Sequence, residues 1–504
     1  MPRPASSPMS RRPVPRFRVV GVVLGIMAIL EVFAAGPAVA DPIAGPPPAG
    51  PAPAEVRGTW LTTTANDALQ TPTRTHATMR SLREIGLNTV YVETWKNGYT
   101  QFPSPTLRQT LGVERRPDLL PGHPNYPSDT PGLRGPRDLL EESLIAAHRN
   151  QLIYVAWFEY GFMAAFKDTD NHLRRQKPDW LTTTADGELV SSQNPFVWMN
   201  PLRPETREIL LGIVLDAVDR YDLDGVQLDD RIAWPVTMGY DPFTVERYRL
   251  EHDGRPPPAD PRDPAWVAWR AEKVGEFARM FYHRLKEARP NLIVSISPAV
   301  YPWSLEHYAC DWAQWSRRGW MDEYMPQVYR PTFARVDEDW PVQLEAVGPG
   351  RADDLIGGFA VVGSGPDTPW DDYRRMMEMV RRRGGGGHCH WFSRGVLEVY
   401  PEQFRAFYDV ANHGPAPHPK LPADWRPPPI VASQDPDTQT WRARLTEAGA
   451  YRVIVHRGDV WTRLSTGDWP AGEIEMQGVP DDVQAVELLV DRRQAAPLDT
   501  LRIR

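Results

Sequence analysis

Apolar runs of seven or eight residues recur between about 56 and 392 and are separated by amphipathic stretches. Eight runs have the length and the β-branched or aromatic content of strands: 56–63, 87–94, 152–159, 224–230, 292–298, 323–329, 355–361 and 386–392. Between most of them lie segments with helical apolar spacing, clearest at 75–86, 137–150 and 205–222. Because strands that alternate with helices pair in parallel, eight such units predict a closed (β/α)8 TIM barrel.

An open doubly wound α/β sheet is the alternative. No G-x-G-x-x-G follows the first apolar run, and a body of about 360 residues is long for that fold, so the barrel is favoured. The pattern changes after about residue 430, where "TWRARLTEAGAYRVIVHRG" and "VQAVELLVDRR" alternate with period two. This alternation predicts a small all-β, sandwich-like domain over 430–504.

Two proline-rich stretches flank the predicted barrel, which we place at 55–412. The chain has 53 prolines in 504 residues, and many fall at 41–54 and at 413–429. Segments of this composition are extended and build no core of their own. We therefore predict one linker before the barrel and a second between the barrel and the C-terminal domain.

The first 40 residues have the pattern of a secretory signal. Arg11, Arg12, Arg16 and Arg18 precede the apolar run "VVGVVLGIMAIL", and small residues lead up to Ala40. We expect cleavage near Ala40 and an exported, extracytoplasmic protein without stable membrane insertion. An uncleaved anchor is the alternative. Removing residues 1–40 changes the net charge from −8 to −12.

Net charge limits the classes of binding partner, and the cysteine count limits the possible disulfides. A net charge of −8 and a pI of about 5.9, with no basic stripe after the N-terminus, exclude nucleic acid as the main partner. The two cysteines, Cys310 and Cys389, form either one disulfide or two buried thiols. The sequence does not indicate an oligomeric state.

Carboxylates fall at the ends of three neighbouring predicted strands, where a TIM barrel has its active site. By strand parity, the side chains of Glu93 and Asp229 face the barrel lumen. Glu159 lies at the end of the third predicted strand, in the aromatic stretch "AWFEYGF". Glycoside hydrolysis needs one protonated acid and one ionised carboxylate, and aromatic surroundings separate the two pKa values by desolvation. We therefore predict Asp229, Glu159 and Glu93 as catalytic residues, with no cofactor or metal.

Further polar and aromatic residues at or near the predicted rim are candidates for binding the sugar chain. They are Arg57, Trp95, Lys96, Trp157, Asn200, Asp230, Gln327, Tyr329 and Trp391. Asp230 has the wrong parity for the lumen, so an ion pair with Arg231 is its simpler interpretation. Asp224, before the same strand, is expected to turn or cap the chain.

Two other motifs have residue types that could support different chemistry. His388 and His390 share one face of the last strand at a spacing that can hold a metal, but no third ligand is evident, so packing or substrate binding is favoured. The run "RRRGGGG" at 381–387 ends a helix, where arginines suit the dipole and glycine terminates the helix.

Several long motifs occur in order between about 55 and 410, and together they carry a family resemblance. Among them are "EVRGTWLTT", "LNTVYVETWKNGYTQFPS", "YVAWFEYGFMA", "WMNPLRPETREIL", "YDLDGVQLDDRIAWPVTMGYDPFTVERY" and "DWAQWSRRGWMDEYMPQVYR". The chain resembles the glycosyl-hydrolase-like family 10 proteins, including exported forms that act on bacterial cell-wall glycan. The resemblance implies a TIM barrel and a cell-envelope polysaccharide as substrate, with peptidoglycan strands stripped of peptide as the leading candidate. Arg231 departs from the family pattern, which usually has an aromatic residue or histidine there.

Other glycosidases help to assign roles. Chitinases of family 18 carry D-G-x-D-x-D-x-E on the fourth strand, and the last position of that motif is Arg231 here, which cannot donate a proton. Barrels with an aspartate nucleophile at the end of strand four fit Asp229 better, with Glu159 as general acid and Glu93 as its support or replacement. Two alternatives are a non-catalytic glycan-binding or envelope-scaffold protein and, less favoured, a metal-dependent polysaccharide deacetylase.

Overall fold

A computed structural model describes residues 50–167, 169–190 and 195–497 of the chain. The predicted signal peptide at 1–40 and most of the linker at 41–54 lie outside these residues. Within the described ranges, no helix combines the length and apolar character needed to cross a membrane.

Among the described residues, strands and helices intermix as far as residue 413, and the later elements are all strands. The strands are β1 (Val56–Leu61), β2 (Thr89–Glu93), β3 (Trp95–Lys96), β4 (Tyr99–Thr100), β5 (Ile153–Phe158), β6 (Met163–Phe166), β7 (Phe196–Trp198), β8 (Gly225–Asp229), β9 (Ile293–Ser297), β10 (Glu323–Tyr324), β11 (Ile356–Ala360), β12 (Gly387–Trp391), β13 (Ile430–Val431), β14 (Ser433–Gln434), β15 (Trp441–Leu445), β16 (Gly449–Arg457), β17 (Val460–Trp469), β18 (Gly472–Met476) and β19 (Ala485–Val490). The α-helices are α1 (Pro72–Ile85), α2 (Pro105–Leu111), α3 (Leu139–Arg149), α4 (His172–Gln176), α5 (Pro204–Arg220), α6 (Pro242–Glu251), α7 (Pro264–Ala288), α8 (Trp303–Tyr308), α9 (Trp312–Arg317), α10 (Phe333–Val347), α11 (Trp370–Arg383), α12 (Pro401–Tyr408) and α13 (Val410–His413).

Eight parallel strands form the predicted barrel, in the order β10-β9-β8-β5-β2-β1-β12-β11. Parallel bridges from Tyr324 to Leu355 and from Gln327 to Gly358 close the sheet between β10 and β11. The open-sheet alternative is therefore wrong. Strand β10 is shorter than the predicted 323–329 because Pro326 has no N–H to donate to the ladder.

Strand parity separates the barrel interior from the layer under the helices, as predicted. The side chains of Tyr91, Val155 and Trp157 pack in the interior cluster. The alternate residues Val90 and Val92 pack in the larger cluster beneath the helices. This alternation carries the final inward residue of each strand to the C-terminal rim.

The N-terminal end of the barrel is sealed by the proline-rich segment 413–429. Its Leu421 and Trp425 belong to the interior cluster, and Lys420 Nζ makes an ion pair with Asp354. The backbone N–H of Glu55 also donates to the carbonyl of Pro417 (3.1 Å). The composition predicts a separating linker, whereas the structure packs this segment against the barrel, because it contributes apolar and charged side chains that the barrel floor accommodates.

We call residues 413–429 the floor segment. A buried network of ion pairs holds it against the barrel. Arg426 Nη1 contacts Asp222 Oδ2 at 2.7 Å and Arg426 Nη2 contacts Asp224 Oδ1 at 2.6 Å. The indole N–H of Trp425 donates to the same Asp224 oxygen (2.6 Å). Asp224, expected to turn or cap the chain before β8, therefore joins the barrel to a segment about 200 residues later.

The C-terminal strands form two antiparallel sheets, in the orders β13-β19-β16-β17 and β14-β15-β18. Alternate apolar residues from both sheets, among them Trp441, Val453 and Leu488, form one core between them. The other face of the larger sheet packs on α3 through Ile454, Trp461 and Ile145. The all-β domain predicted from period-two alternation is confirmed.

We expect the folded protein to lose stability as the pH falls from about 6.5 towards 4. His148, buried in α3, accepts a hydrogen bond from Arg452 Nη2 (2.6 Å) and donates to Asp224 (3.0 Å). Burial, helped by Arg426, lowers the pKa of His148 from 6.5 to about 4. Below pH 6.5 the unfolded chain binds a proton that the folded chain does not, which favours unfolding by up to about 3 kcal/mol.

Denaturant unfolding followed from pH 8 to pH 4 measures this effect. The His148→Gln variant retains a donor and an acceptor but cannot titrate, so its stability should fall less steeply with acid. The same replacement at His283, an exposed residue of α7, is the matched control and should leave the slope unchanged. Equal slopes for wild type and His148→Gln would contradict the prediction.

Candidate active site

Three carboxylates meet at the C-terminal rim, as the strand ends predict. Glu93 is the last residue of β2, Asp229 is the last residue of β8, and Glu159 follows β5 directly. All three are buried, with no more than 7% of any of them exposed. Two cations join them: Lys96 lies between Glu93 and Glu159, and Arg231 lies between Glu159 and Asp229.

Glu93 is surrounded by hydrogen-bond donors. Lys96 Nζ lies 2.8 Å from its Oε2 and the backbone N–H of Thr63 donates to the same oxygen at 3.1 Å. The Thr63 hydroxyl donates to Oε1. Burial by itself would raise the pKa of Glu93, but Lys96 and Thr63 outweigh it and the pKa is lowered. Glu93 is therefore ionised.

Glu159 has weaker contacts with its cations. Lys96 Nζ lies 3.2 Å from Oε2, and Arg231 Nη2 lies 3.8 Å from Oε1. Burial raises the pKa of Glu159 and the negative charge of Glu93 raises it further, while Lys96 and Arg231 offset only part of this. Of the carboxylates joined by Lys96, Glu159 is the one suited to hold a proton.

Asp229 is held by donors on both oxygens. Its Oδ1 accepts from Gln327 Nε2 (2.6 Å) and from the backbone N–H of Asp230 (2.8 Å), and Arg231 Nη1 donates to Oδ2. Burial raises the pKa of Asp229, as do Asp230 and Glu159, against the opposing effect of Arg231. The pKa of Asp229 is raised overall, but its donors lie closer (2.6 and 2.8 Å) than the cations of Glu159 (3.2 and 3.8 Å) and favour an ionised oxygen. A proton shared between Asp229 and Glu159 is therefore better placed on Glu159.

Arg231 is a central site residue that the sequence did not predict, as are Trp60 and Ser364 of the pocket wall. Arg231 contacts Asp229 and Glu159, and its Nη1 also lies 3.1 Å from Asp230 Oδ1, which confirms the predicted Asp230–Arg231 pair. Together with Glu93, these make four carboxylates, and their ion pairs are with two cations, Lys96 and Arg231. This excess of negative charge favours retention of a proton within the cluster. The missed signal was local, since Arg231 directly follows two aspartates at a strand end.

An aromatic pocket opens beside these charges. It is lined by Trp60, Trp157, Asp229, Asp230, Arg231, Gln327, Tyr329, Ser364 and Trp391. The rings of Trp157 and Trp391 meet edge to face at 6.0 Å, and Tyr329 stacks on Trp391 at 6.0 Å. Trp60 Nε1 donates to Gln227 (2.8 Å), whereas the buried Nε1 atoms of Trp157 and Trp391 have no acceptor among the described residues. The pocket thus offers ring faces and two N–H donors to a ligand.

Six of the nine predicted binding residues lie at this site: Lys96, Trp157, Asp230, Gln327, Tyr329 and Trp391. The other three do not. Arg57 lies at the opposite end of the barrel, where it pairs with Glu55 (2.8 Å), because it is the second residue of β1. Trp95 packs under the helices and donates to the carbonyl of Gly161 (3.2 Å). Asn200 is buried and donates to Asp241 and Thr244.

The histidines and cysteines considered for other chemistry have structural contacts. The nitrogens of His390 lie 2.7 Å from the hydroxyls of Tyr373 and Tyr408, and His388 stacks on the Tyr408 ring. In the described ranges, no group of three or more His, Cys, Asp or Glu residues is arranged to hold a metal ion. Cys310 and Cys389 are buried free thiols in different clusters, so the disulfide alternative is wrong.

Fold and site together define a TIM-barrel protein with the carboxylate and aromatic features of a glycoside-hydrolase-like site. The family model described as "Glycosyl hydrolase-like 10" matches residues 55–346, more than half of the chain. The chain belongs to this family, as its motifs predicted. The matched range includes Glu93, Glu159 and Asp229 but ends before β12 and Trp391.

Known proteins with similar sequences carry the same class of name. Glycosyl hydrolase DigH of Escherichia coli (strain K12) is 25% identical over 283 residues, which cover 50% of this chain and 57% of DigH. Glycosyl hydrolase YngK of Bacillus subtilis (strain 168) is 22% identical over 272 residues, covering 49% of this chain and 47% of YngK. The chain therefore spans about half the length of the curated relatives it matches.

A solved structure shows a similar fold. The PgaB (BpsB) glycoside hydrolase domain from Bordetella bronchiseptica superimposes with a TM-score of 0.50. It is 13% identical, and the match covers 72% of this chain and 99% of that domain. At this level of identity the likeness supports the barrel architecture alone.

Proposed function

We propose that the protein is an exported glycoside hydrolase that cleaves a cell-envelope polysaccharide, with peptide-free peptidoglycan strands as the leading substrate. The observation that carries the proposal is the pair Asp229 and Glu159, which are joined by one guanidinium beside an aromatic pocket at the barrel rim. Membership of a glycosyl-hydrolase-like family supports the class of reaction. The motif resemblance supports the cell-wall substrate, and the N-terminal signal pattern supports export.

The geometry suits a two-carboxylate mechanism. Glu159 gives its proton to the glycosidic oxygen as the bond from that oxygen to the anomeric carbon breaks. Asp229 in its ionised form acts in one of two ways. It attacks the anomeric carbon, and the resulting bond to the sugar is then broken by a water that Glu159 deprotonates, or it removes a proton from a water that attacks the anomeric carbon directly. In both cases one water is consumed and the products carry a new hydroxyl and a new reducing end. The Trp157 and Trp391 N–H groups would bind sugar oxygens, and their rings would stack on apolar sugar faces.

The first test incubates the purified protein with peptide-free peptidoglycan strands, with chitin and an α-glucan as controls. Soluble fragments that have gained one water, identified by mass spectrometry on the peptidoglycan strands, would support the proposal. Hydrolysis of a control glycan instead would retain the reaction class and change the substrate.

A second candidate function is binding without catalysis. The observation that favours it is that Arg231 engages both Asp229 and Glu159, so the guanidinium must yield part of these contacts before the carboxylates can act. Binding of peptidoglycan strands without fragments from any of the three glycans would select this candidate.

We expect Glu159→Gln to lower hydrolysis of the natural glycan by about 10²–10⁴-fold, because the leaving oxygen loses its proton donor. The loss should largely disappear on an aryl glycoside whose phenolate leaves without protonation. The Glu473→Gln variant, at an exposed position of β18, is the matched control and should behave as wild type on both substrates. An equal loss on both substrates would show that Glu159 is not the general acid. Asp230 of the pocket wall would then be the next candidate for that role.

A further inference from the structure

Glu93, Lys96 and Glu159 form a continuous contact at the edge of the site. Lys96 Nζ lies 2.8 Å from Glu93 Oε2 and 3.2 Å from Glu159 Oε2. The side chains of Glu93, Glu159 and Lys96 are 0%, 9% and 15% exposed, so water screens these charges little. One cation is therefore shared by two carboxylates, and the closer contact goes to Glu93.

Glu93 is poorly placed to take part in the reaction itself. Both of its oxygens accept from donors, which are the Thr63 hydroxyl, the Thr63 N–H and Lys96 Nζ. The side chain of Glu93 is fully buried, whereas 9% of the Glu159 side chain is exposed. The negative charge of Glu93 nevertheless raises the pKa of Glu159, in addition to the larger increase caused by burial. Glu93 can thus influence the site without touching the substrate.

The groups that face Glu159 come from three parts of the barrel. Glu93 on β2 is negative and Lys96 on β3 is positive. From the end of β8 come Arg231, which is positive, and Asp229, which Arg231 links to Glu159. The neighbouring Tyr160 hydroxyl stays neutral, because burial raises its pKa. Only Glu93 both repels a charge on Glu159 and competes for its nearest cation.

We propose that Glu93 is a positioning residue that acts through Lys96 to keep Glu159 protonated near neutral pH. The inference rests on the proposed role of Glu159 as the general acid. Glu93 fixes the ammonium group of Lys96 at its own carboxylate and so withholds part of that charge from Glu159. Its own negative charge adds to the cost of ionising Glu159. Both effects raise the pKa of Glu159, so removing the charge of Glu93 should lower that pKa.

Glu93→Gln removes the charge and keeps a carbonyl oxygen that can accept from Thr63 or Lys96. Lys96 then pairs more fully with Glu159, which should lose its proton at lower pH. We expect the alkaline limb of the activity profile to move down by about one pH unit. Lys96→Gln should move the same limb upward, and Lys96→Arg should restore it. A purely structural role for Glu93 would not produce opposite shifts.

A measurement that does not depend on turnover separates this inference from the proposed function. The pKa of Glu159 is read from the ¹³C resonance of its carboxyl group in labelled protein, assigned by its loss in Glu159→Gln. Lower values in Glu93→Gln and higher values in Lys96→Gln support the inference even if no glycan is hydrolysed, in which case only the proposed function fails. The matched control is Glu84→Gln, on an exposed position of α1.

Two results would overturn the inference. One is a Glu159 titration that stays in place or rises in Glu93→Gln. The other is loss of activity at every pH in Glu93→Gln while Glu159 titrates as in wild type, since Glu93 would then act on the substrate itself. Thermal melting of each variant excludes unfolding as the cause.

Discussion

Asp229→Asn is expected to lower kcat/KM for the glycan by on the order of 10³-fold or more. Asparagine keeps an oxygen for Gln327 and the Asp230 N–H, but it supplies neither a nucleophile nor a base. Its amide also places N–H donors opposite Arg231, which now donates to the second oxygen. The initial rates of fragment release by wild type and variant measure the effect.

The matched control is Asp424→Asn, at an exposed position of the floor segment, which should retain wild-type activity. Asp229→Asn should still bind the glycan, because the ring faces and the indole N–H groups of Trp157 and Trp391 remain in the pocket. Residual activity within ten-fold of wild type would contradict the assignment of Asp229. Equal binding by both proteins, with no hydrolysis by wild type, would favour a glycan-binding protein.

The largest expected effect on stability comes from Arg426→Met, which we predict to cost about 3–5 kcal/mol of unfolding free energy. Methionine preserves apolar volume, but Asp222 and Asp224 lose their shared cation while both remain buried. Arg452, 3.1 Å from Asp222, compensates only part of that charge, and His148, which is neutral at pH 7, contributes a hydrogen bond to Asp224. Urea unfolding of wild type and variant at pH 7 measures the difference.

Arg444→Met is the control for this experiment, since Arg444 is exposed on β15 and its replacement should change the unfolding free energy by less than about 0.5 kcal/mol. The site lies at the other end of the barrel, so activity of folded Arg426→Met protein should stay near wild type. A loss below about 1 kcal/mol would show that the floor segment is held mainly by Leu421 and Trp425 rather than by charge.

Local pattern was sufficient for the barrel and for the carboxylates at its rim. A strand places alternate residues on opposite faces, so apolar Val90 and Val92 under the helices imply an inward Tyr91 and a rim position for Glu93. The same parity located Asp229 at the end of β8. Period-two alternation after residue 430 likewise indicated the all-β domain. These features depend only on neighbours along the chain.

Parity also has limits that the structure makes visible. Trp95 has the inward parity of β2, but it begins the separate strand β3 and packs under the helices. Arg57 lies on a barrel strand at the end opposite the rim. The position of a residue along its strand therefore matters as much as the face it lies on. The predictions of a signal peptide, of export and of a cell-wall substrate remain predictions.

The sequence by itself determined a (β/α)8 barrel with an appended β-domain and with acidic residues and aromatics at the rim, because period and strand order are local properties. Only the tertiary structure decided how these charges are shared. Lys96 and Arg231 join carboxylates from three different strand ends, and Arg426 meets Asp224 across about 200 residues of chain. Such contacts have no local pattern, since they depend on how the closed barrel brings distant segments together, and buried charges must find partners wherever the fold places them.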